Sequence, residues 1–295
     1  MHTRAEPRRR ACPLTSPRWS PIMIRARAAG AVRDKERQEV LMRRRLFTWA
    51  SLLILLLEPI SAPASPPEQV RAEAEETARL LAKLLQSGRL VIERNQAVID
   101  DPHRGDKGFT PEVFERQLRE EFRQRTGIDL ASLSQKSATF TAPPLARELL
   151  PALIEASKEV VNDAQVVINQ RGIGYKNFIP ATYGSQAAAH FSKRSHVQLK
   201  QTALQPRNPK NEPDEYESSV LRWLSGRPNG EAYVSELTES GRTLRVIMPI
   251  YYMRECLACH GEPKGEWDIS GYPREGAHEG DLAGAISVRI PLEPR

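Results

Sequence analysis

Apolar residues recur every three or four positions through the first half of this chain, among many charged residues. Between residues 66 and 100 this spacing predicts one amphipathic helix or a pair of helices. Turn residues from Asp101 to Asp106 end the segment. Thr110 and Pro111 then fit the N-cap and the first position of another helix, because threonine accepts from a free backbone N–H and proline lacks one. The pattern therefore predicts a helical N-terminal region.

The helical pattern occurs twice. The sequence K-x-F-x-P-x-x-[FY]-x-x-Q-x-x-x-x-F begins at Lys107 and again at Lys176, an offset of 69 residues. Similarity at a fixed offset favours an internal duplication, and a chance likeness of two amphipathic units is the alternative. We expect the two helical units to pack on each other or on a common sheet.

Alternation of apolar and polar residues begins near Leu199 and predicts strands instead. The predicted strands cover residues 197–204, 232–237, 242–252 and 283–291. Residues 242–252 are expected to form a half-buried strand with one apolar face. Ser240 and Gly241 form a turn before this strand, which implies antiparallel pairing. The predicted fold class is α+β, with an antiparallel sheet preceded by the duplicated helical unit.

Residues 42–64 have the three regions of a secretory signal peptide. Arginines follow Met42, a 12-residue apolar run extends from Leu46 to Leu57, and Ala62 and Ala64 offer a cleavage site. An uncleaved membrane anchor is the alternative, although the apolar run ends before it reaches the length of a membrane span. We therefore predict a periplasmic protein with no membrane span after cleavage.

These patterns divide the chain into four parts. Residues 1–41 are rich in Arg and Pro without periodicity, so they are predicted to be a non-coding or disordered leader, with Met42 as the initiator. The signal peptide follows at 42–64. Residues 65–154 are predicted to hold the first repeat copy, and residues 155–295 the second copy together with the sheet.

The net charge of +6 belongs to the N-terminus. Of 43 basic and 37 acidic residues, 13 basic and five acidic ones precede Ser65, which leaves 30 against 32. The predicted mature protein is therefore slightly acidic. Its charge argues against nucleic acid as a partner.

One short motif carries recognisable chemistry. Residues 256–260 read Cys-Leu-Ala-Cys-His, the C-x-x-C-H spacing at which two thiols bind the vinyl groups of one haem and the histidine binds its iron. A zinc site would need two further ligands, a thioredoxin-like dithiol would need a βαβ unit, and a plain disulfide would leave His260 without a role. We predict one covalent haem c, with Cys256 and Cys259 as attachment points.

Three longer segments, residues 207–217, 254–266 and 279–288, resemble a family of single-haem c-type domains with a PAS-like fold, long catalogued as a domain of unknown function. The two Lys-x-Phe-x-Pro segments resemble its longer members. The resemblance implies a periplasmic haem domain that occurs alone or in front of chemoreceptors, histidine kinases and diguanylate cyclases, and that senses redox state or small gases. It also implies that Cys256 and Cys259 form thioethers and that His260 is the proximal ligand.

The sequence departs from this family on the other side of the iron. Relatives take a sixth ligand from a cysteine or methionine on the helix before the sheet, whereas residues 91–99 and 160–168 contain no Cys, Met or His. We expect an open or weakly held sixth position. The remaining distal candidates are His190 and His196, each with a surface or satisfied position as the alternative, and Met248, with a core position as the alternative. Lys176 and Arg207 are candidates to neutralise haem propionates, or are solvated surface charges.

Three functions follow. A sensing or binding module for redox state or a small gas is the leading hypothesis, and it needs a separate signalling partner because no output module is recognisable in the chain. A soluble electron-transfer cytochrome with its own redox partner is the alternative. We do not predict an enzyme, although peroxide or nitrogen-oxide chemistry at an open iron stays a third possibility.

Overall fold

The first long helix shows how the sequence pattern becomes structure. In the computed structural model α1 runs Glu68–Arg94, and its apolar stripe is buried along the whole length. The structure describes residues 68–131, 142–227 and 233–292. The leader and signal-peptide predictions for residues 1–64 lie outside these residues. Within the described ranges, no helix combines the length and apolar character that crossing a membrane requires.

Helices make up most of the described chain before residue 195. After α1 they are α2 Gln96–Ile99, α3 Pro111–Thr126, α4 Pro144–Asp163, α5 Gln165–Ile168 and α6 Pro180–Arg194. The predicted start of α3 is present, because Thr110 Oγ1 accepts a hydrogen bond from Val113 N and Pro111 is the first helical residue. Gly127 ends α3 in a left-handed conformation with φ 74°, and its N–H donates to Arg123 O at 2.7 Å.

The two repeat copies have the same order of elements. Adding 69 to the start of α2 and of α3 gives the start of α5 and of α6. Equivalent residues also exchange hydrogen bonds: Lys107 N donates to Asn169 Oδ1 and Lys176 N to Asp100 Oδ1, each at 2.9 Å. The copies therefore pack on each other as nearly symmetric halves, joined by reciprocal contacts between their loops.

Lys107 and Lys176 are buried, with 3% and 4% of their surface exposed. The Lys176 ammonium donates to the carbonyl oxygens of Gln170 and Ile173, and Lys107 donates to the equivalent pair in its own loop. Lys176 is therefore a buried residue and not the solvated surface charge that we named as the alternative, since loop carbonyls need a buried donor here. Its role as a propionate partner stays a prediction.

A four-stranded antiparallel sheet follows the helices. Its strands are β1 Gln198–Thr202, β2 Val234–Thr238, β3 Thr243–Tyr251 and β4 Leu282–Pro291, and their order is β1-β4-β3-β2. The predicted α+β class is confirmed. At Gly284 a Cβ atom would lie 2.4 Å from the Thr202 carbonyl oxygen, so β1 and β4 approach each other closely there.

The sheet has helices on both faces. One face joins the large core of α1, α3, α4 and α6. The other is covered by α7 Glu215–Ser225, whose Val220, Leu221 and Leu224 pack on Ile247 and Ala285. Strand β3 is therefore buried on both faces near Ile247, where we expected one apolar face.

Helix α7 begins with a capping box. The Glu217 N–H donates to Asp214 Oδ1 at 2.8 Å, and the Asp214 N–H donates to Glu217 Oε2 at 3.0 Å. This reciprocal pair satisfies two backbone N–H groups at the helix start. The Asp-x-x-Glu spacing was readable in the sequence as the start of a helix.

The described residues all fall within one compact unit, which spans Pro63–Arg295. The expected boundary between residues 154 and 155 lies inside α4. Helix α4 packs on α6 and α1 at once, so the two repeat copies and the sheet share a core.

Candidate haem-binding site

The Cys-x-x-Cys-His motif lies where β3 leaves the sheet. Residues Arg254–Cys256 form a 3-10 turn and α8, Leu257–His260, continues it. At Gly261 a Cβ would lie 2.6 Å from the Leu257 carbonyl oxygen, so the chain turns sharply after the histidine. Tyr252 N donates to Asp281 O at 2.9 Å and Gly280 N to Tyr252 O at 2.8 Å. The motif is thus part of a loop whose two ends are tied together at the sheet.

His260 is held by one ring nitrogen. Its Nδ1 lies 2.8 Å from Glu275 Oε2, and the Tyr252 ring lies 4.9 Å from the imidazole, centre to centre. Burial lowers the pKa of His260, followed by the repulsion of Arg207, and the nearby Glu275 only partly opposes this. A neutral imidazole with Nδ1–H bound to a carboxylate presents a free Nε2. That is the usual arrangement of a metal-binding histidine.

Arg207 anchors the loop from outside it. Its guanidinium donates to both carboxylate oxygens of Glu275 at 2.7 and 2.9 Å, and also to Asp268 and to the carbonyl oxygen of Cys259. Burial lowers the pKa of Arg207, but the bonds to Glu275 and Asp268 raise it more, so the group stays charged. Arg207 thus adjoins the motif and is paired with two carboxylates, one of which holds His260. Its predicted role at a haem propionate stays a prediction.

Asp268 accepts a hydrogen bond from Arg207. Burial raises the pKa of Asp268, but hydrogen bonds from Ser270, Arg207 and the Tyr272 N–H lower it by more. The resulting pKa lies well below the ordinary value of an aspartate. The carboxylate is thus ionised at all ordinary pH values. The chain Asp268, Arg207, Glu275 and His260 links the loop to the segment after β1.

Both thiols of the motif are free, and each residue keeps part of its surface exposed. Burial raises the pKa of Cys256 and of Cys259. The two sulfurs are therefore neutral thiols near pH 7, available for covalent attachment.

Two side chains that we did not single out from the sequence interact electrostatically with these thiols. Burial raises the pKa of Cys256, and the charge of Arg89 of α1 only partly opposes this. Burial raises the pKa of Tyr175 in the second repeat loop, followed by the influence of Cys259. Arg89 could have been found, because it lies between Leu85 and Ile92 on the buried stripe of α1, where a charge is unexpected.

A family model for Tll0287-like proteins matches residues 67–291. The chain belongs to the Tll0287-like family. This confirms the resemblance drawn from the motif and its flanking segments. Among solved structures, that of the cyanobacterial haem protein Tll0287 is 19% identical, covers 50% of this chain and 95% of its own, and has a TM-score of 0.36. No curated protein matches the chain.

The remaining site candidates of this Tll0287-like chain lie elsewhere. His190 of α6 has its Nδ1 3.4 Å from Glu159 of α4. His196 lies in the bend between α6 and β1, and Met248 of β3 packs against the main core. In the described parts of the chain, no three His, Cys, Asp or Glu side chains come together as a metal site would require.

Proposed function

We propose that this chain binds one haem c through thioether bonds to Cys256 and Cys259, with His260 Nε2 as the proximal iron ligand. We further propose that it acts in the periplasm as a module that senses or binds a small gas or a redox signal. The family to which it belongs is named for Tll0287, which its structure's title describes as a haem protein. This membership supports haem as the cofactor.

The observation that carries the proposal is the orientation of His260. Glu275 holds Nδ1 and is itself held by both arms of the Arg207 guanidinium, which leaves Nε2 available beside two free thiols. A zinc centre would need two more ligands, and no such cluster occurs among the described residues.

The bound haem would supply an iron that exchanges single electrons and binds small gases. The chain's own residues would orient this iron. Cys256 and Cys259 fix the edge of the porphyrin, each thiol adding across one vinyl group, with the sulfur and the hydrogen going to its two carbons. Glu275 keeps the His260 imidazole in one tautomer and strengthens it as a ligand.

An electron-transfer cytochrome is the second candidate. Both cysteines keep exposed surface, so the attached edge of the haem would be open to a redox partner. The two functions can be distinguished by the sixth coordination position of the iron, because an electron carrier needs ligands on both faces of the iron in both oxidation states. Rapid addition of carbon monoxide to the ferrous protein supports gas binding, and its absence supports electron transfer.

The attachment is tested by exporting the protein in a host with a c-type haem maturation system. We expect haem to stay on the polypeptide after acid-acetone extraction, at one haem per chain by mass. Replacing both cysteines, Cys256→Ser with Cys259→Ser, is expected to abolish attachment. A colourless wild-type protein containing zinc would contradict the proposal.

The proximal ligand is tested with a matched pair of histidines. His260→Ala is expected to change the visible spectra of the ferric and ferrous protein or to prevent maturation. His278→Ala is the control, because this side chain lies in the same loop but is 72% exposed and contacts only Asp281, at 3.4 Å. Equal spectra for the His260→Ala variant and the wild type would exclude His260 as a ligand.

Export is proposed from the signal-peptide pattern of residues 42–64. Mass analysis of the exported protein is expected to give a mature N-terminus near Ser65. A mature chain that retains Leu46 to Leu57 would instead indicate a membrane anchor.

A further inference from the structure

Arg89 is a half-buried cation without a carboxylate partner in the described structure. Its Nε donates to Gln86 Oε1 at 3.0 Å, and its Nη1 donates to Gln201 Oε1 of β1. Both acceptors are neutral amides. Burial lowers the pKa of Arg89 to about 10, so the group is still charged near pH 7. A buried charge that lacks a counter-charge is costly, and proteins keep such groups where an anion binds.

The other repeat copy shows what this position contains when it is only structural. The residue equivalent to Arg89 is Lys158, whose Nζ lies 2.9 Å from Glu115 Oε2. The residue equivalent to Glu115, 69 positions on, is Gly184. A Cβ at Gly184 would lie 3.3 Å from both Cγ and Cδ of Arg89. The symmetric ion pair is therefore replaced, in this copy, by an arginine whose carboxylate partner is missing.

The location of Arg89 links it to the haem motif. Its partner Gln201 pairs with Ile286 of β4, and Ile286 pairs with Met248 of β3, on the face of the sheet that joins the helical core. Three residues later β3 ends at Tyr251 and the motif loop begins. One turn after Arg89 on α1, burial raises the pKa of Glu93, followed by the charge of Glu255, the neighbour of Cys256. The end of α1 and the start of the motif thus border one space.

Arg89 and Arg207 have different hydrogen-bond partners. Arg207 belongs to the His260 side of the motif and is neutralised by Glu275 and Asp268. Arg89 belongs to the helix side, where its hydrogen-bond partners are the neutral amides of Gln86 and Gln201. Burial raises the pKa of Cys256, but the charge of Arg89 is close enough to that thiol to oppose this in part. Arg89 is therefore the cation near the motif whose charge no carboxylate of the described residues neutralises.

We propose that the Arg89 guanidinium, held by Gln201, would donate hydrogen bonds to a small anion bound at the haem, in place of the carboxylate that the equivalent Lys158 contacts. This inference rests on the proposed haem attachment. Gln201 fixes the guanidinium, and Gly184 leaves room for Gln201, because a Cβ there would lie 2.5 Å from Gln201 Oε1. The haem would supply an iron that can hold such an anion.

Fluoride is the probe, because it binds ferric haem and accepts strong hydrogen bonds. The ferric holoprotein is titrated with fluoride and followed by its visible spectrum. Arg89→Leu is expected to weaken fluoride binding about tenfold, as loss of a charge-assisted hydrogen bond predicts. Arg71→Leu is the matched control, since it removes an exposed arginine from the same helix, and it is expected to leave the affinity within twofold of wild type.

The haem content of each variant is measured first, which separates the two proposals. A wild type without covalent haem contradicts the proposed function before fluoride is added. With haem attached, a loss below threefold in Arg89→Leu, or a wild-type ferric iron that binds no fluoride, overturns the role of Arg89 alone. If Arg89→Leu does not fold, Arg89→Gln decides by the same thresholds, because it removes the charge and keeps a polar side chain of similar reach.

Discussion

The two copies of the helical repeat have the same order of helices but different side chains at several equivalent positions. At the centre, Phe114 of the first copy meets Tyr183 of the second, with ring centres 5.3 Å apart. Tyr183 donates its hydroxyl to Ser157, and the residue equivalent to Ser157 is Gly88, against which the Tyr183 hydroxyl packs. The shared arrangement of helices therefore accommodates different pairs of side chains, provided that each pair fills the space between the helices.

The differences between the two copies indicate where a nearly symmetric pair of repeats can carry a functional site. Lysines that close the two loops, Lys107 and Lys176, are the same in both copies and serve the fold. The copies diverge where the second meets the sheet and the motif loop, at Gly184 and Tyr175. The lysines that close the loops are thus retained, whereas side chains differ both at the centre between the copies and where the second copy meets the sheet.

The strongest test of the shared frame removes the central rings. Phe114→Ala and Tyr183→Ala are each expected to lower the free energy of unfolding by about 3–5 kcal/mol, because both side chains are fully buried. Denaturant unfolding measures this. Val166→Ala, at an 81% exposed position, is the control and is expected to change stability by less than about 0.5 kcal/mol. A much smaller loss for one of the two rings would mean that the copies are not equivalent at the centre.

The next test gives the first copy the serine of the second. In Gly88→Ser the new Cβ would lie within 2.0 Å of the Tyr183 hydroxyl oxygen, so we expect a loss of about 1–3 kcal/mol from overpacking. Gly226→Ser is the control, since the nearest atom there is 3.8 Å away. Wild-type stability in Gly88→Ser, measured by thermal unfolding, would contradict the close approach of α6 to α1.

A smaller effect is expected from the ion pair that Arg89 lacks. Burial raises the pKa of Glu115, but bonds from Lys158 and Arg119 lower it more, so the folded pKa is below the usual 4.5. The pair therefore stabilises the protein above pH 4.5, and this contribution is lost as the pH falls through the lowered value. Glu115→Gln is expected to cost about 0.5–1 kcal/mol at pH 7 and nothing at strongly acidic pH.

Its control is Glu155→Gln, which removes a 64% exposed carboxylate 3.5 Å from the same lysine and is expected to cost less. Unfolding curves collected from pH 7 to pH 3 distinguish the two variants. A loss in Glu115→Gln that is independent of pH would indicate altered packing instead of charge.

The smallest effect is expected at His190, the candidate distal ligand. Its imidazole lies beside Glu159 on the helical side, so His190→Ala is expected to leave the ferric and ferrous visible spectra unchanged. Conversion of a low-spin spectrum to high-spin in this variant would show that His190 binds the iron and that the open sixth position is wrong.

The elements of this fold could be predicted because their signals are local. The end of β3 and the start of β4 were each predicted within one residue, and the threonine cap of α3 was predicted by type and position. The helix α7 was missed although Asp214 and Glu217 carry a capping signal. Burial of Ile247 on the second face of the sheet follows from that missed helix.

The site was predictable only as far as its motif. Cys256, Cys259 and His260 are adjacent in sequence, whereas Glu275 and Arg207 reach His260 from 15 residues after it and 53 residues before it. No sequence period connects such positions. Lys176 was assigned to a propionate because a lysine is usually exposed, and only the fold reveals that loop carbonyls surround it.

The last strand of the chain has a consequence for the order of assembly. β4 lies between β1 and β3, and β1 pairs with no other described strand. When the chain is synthesised or exported from its N-terminus, β1 has no partner strand until Leu282–Pro291 follow. Until then, the loop with both thiols also lacks the hydrogen bond between Tyr252 N and Asp281 O that joins its two ends. If haem is attached as proposed, the motif would be accessible to the attaching enzymes during this interval, and pairing of the final strand would end it.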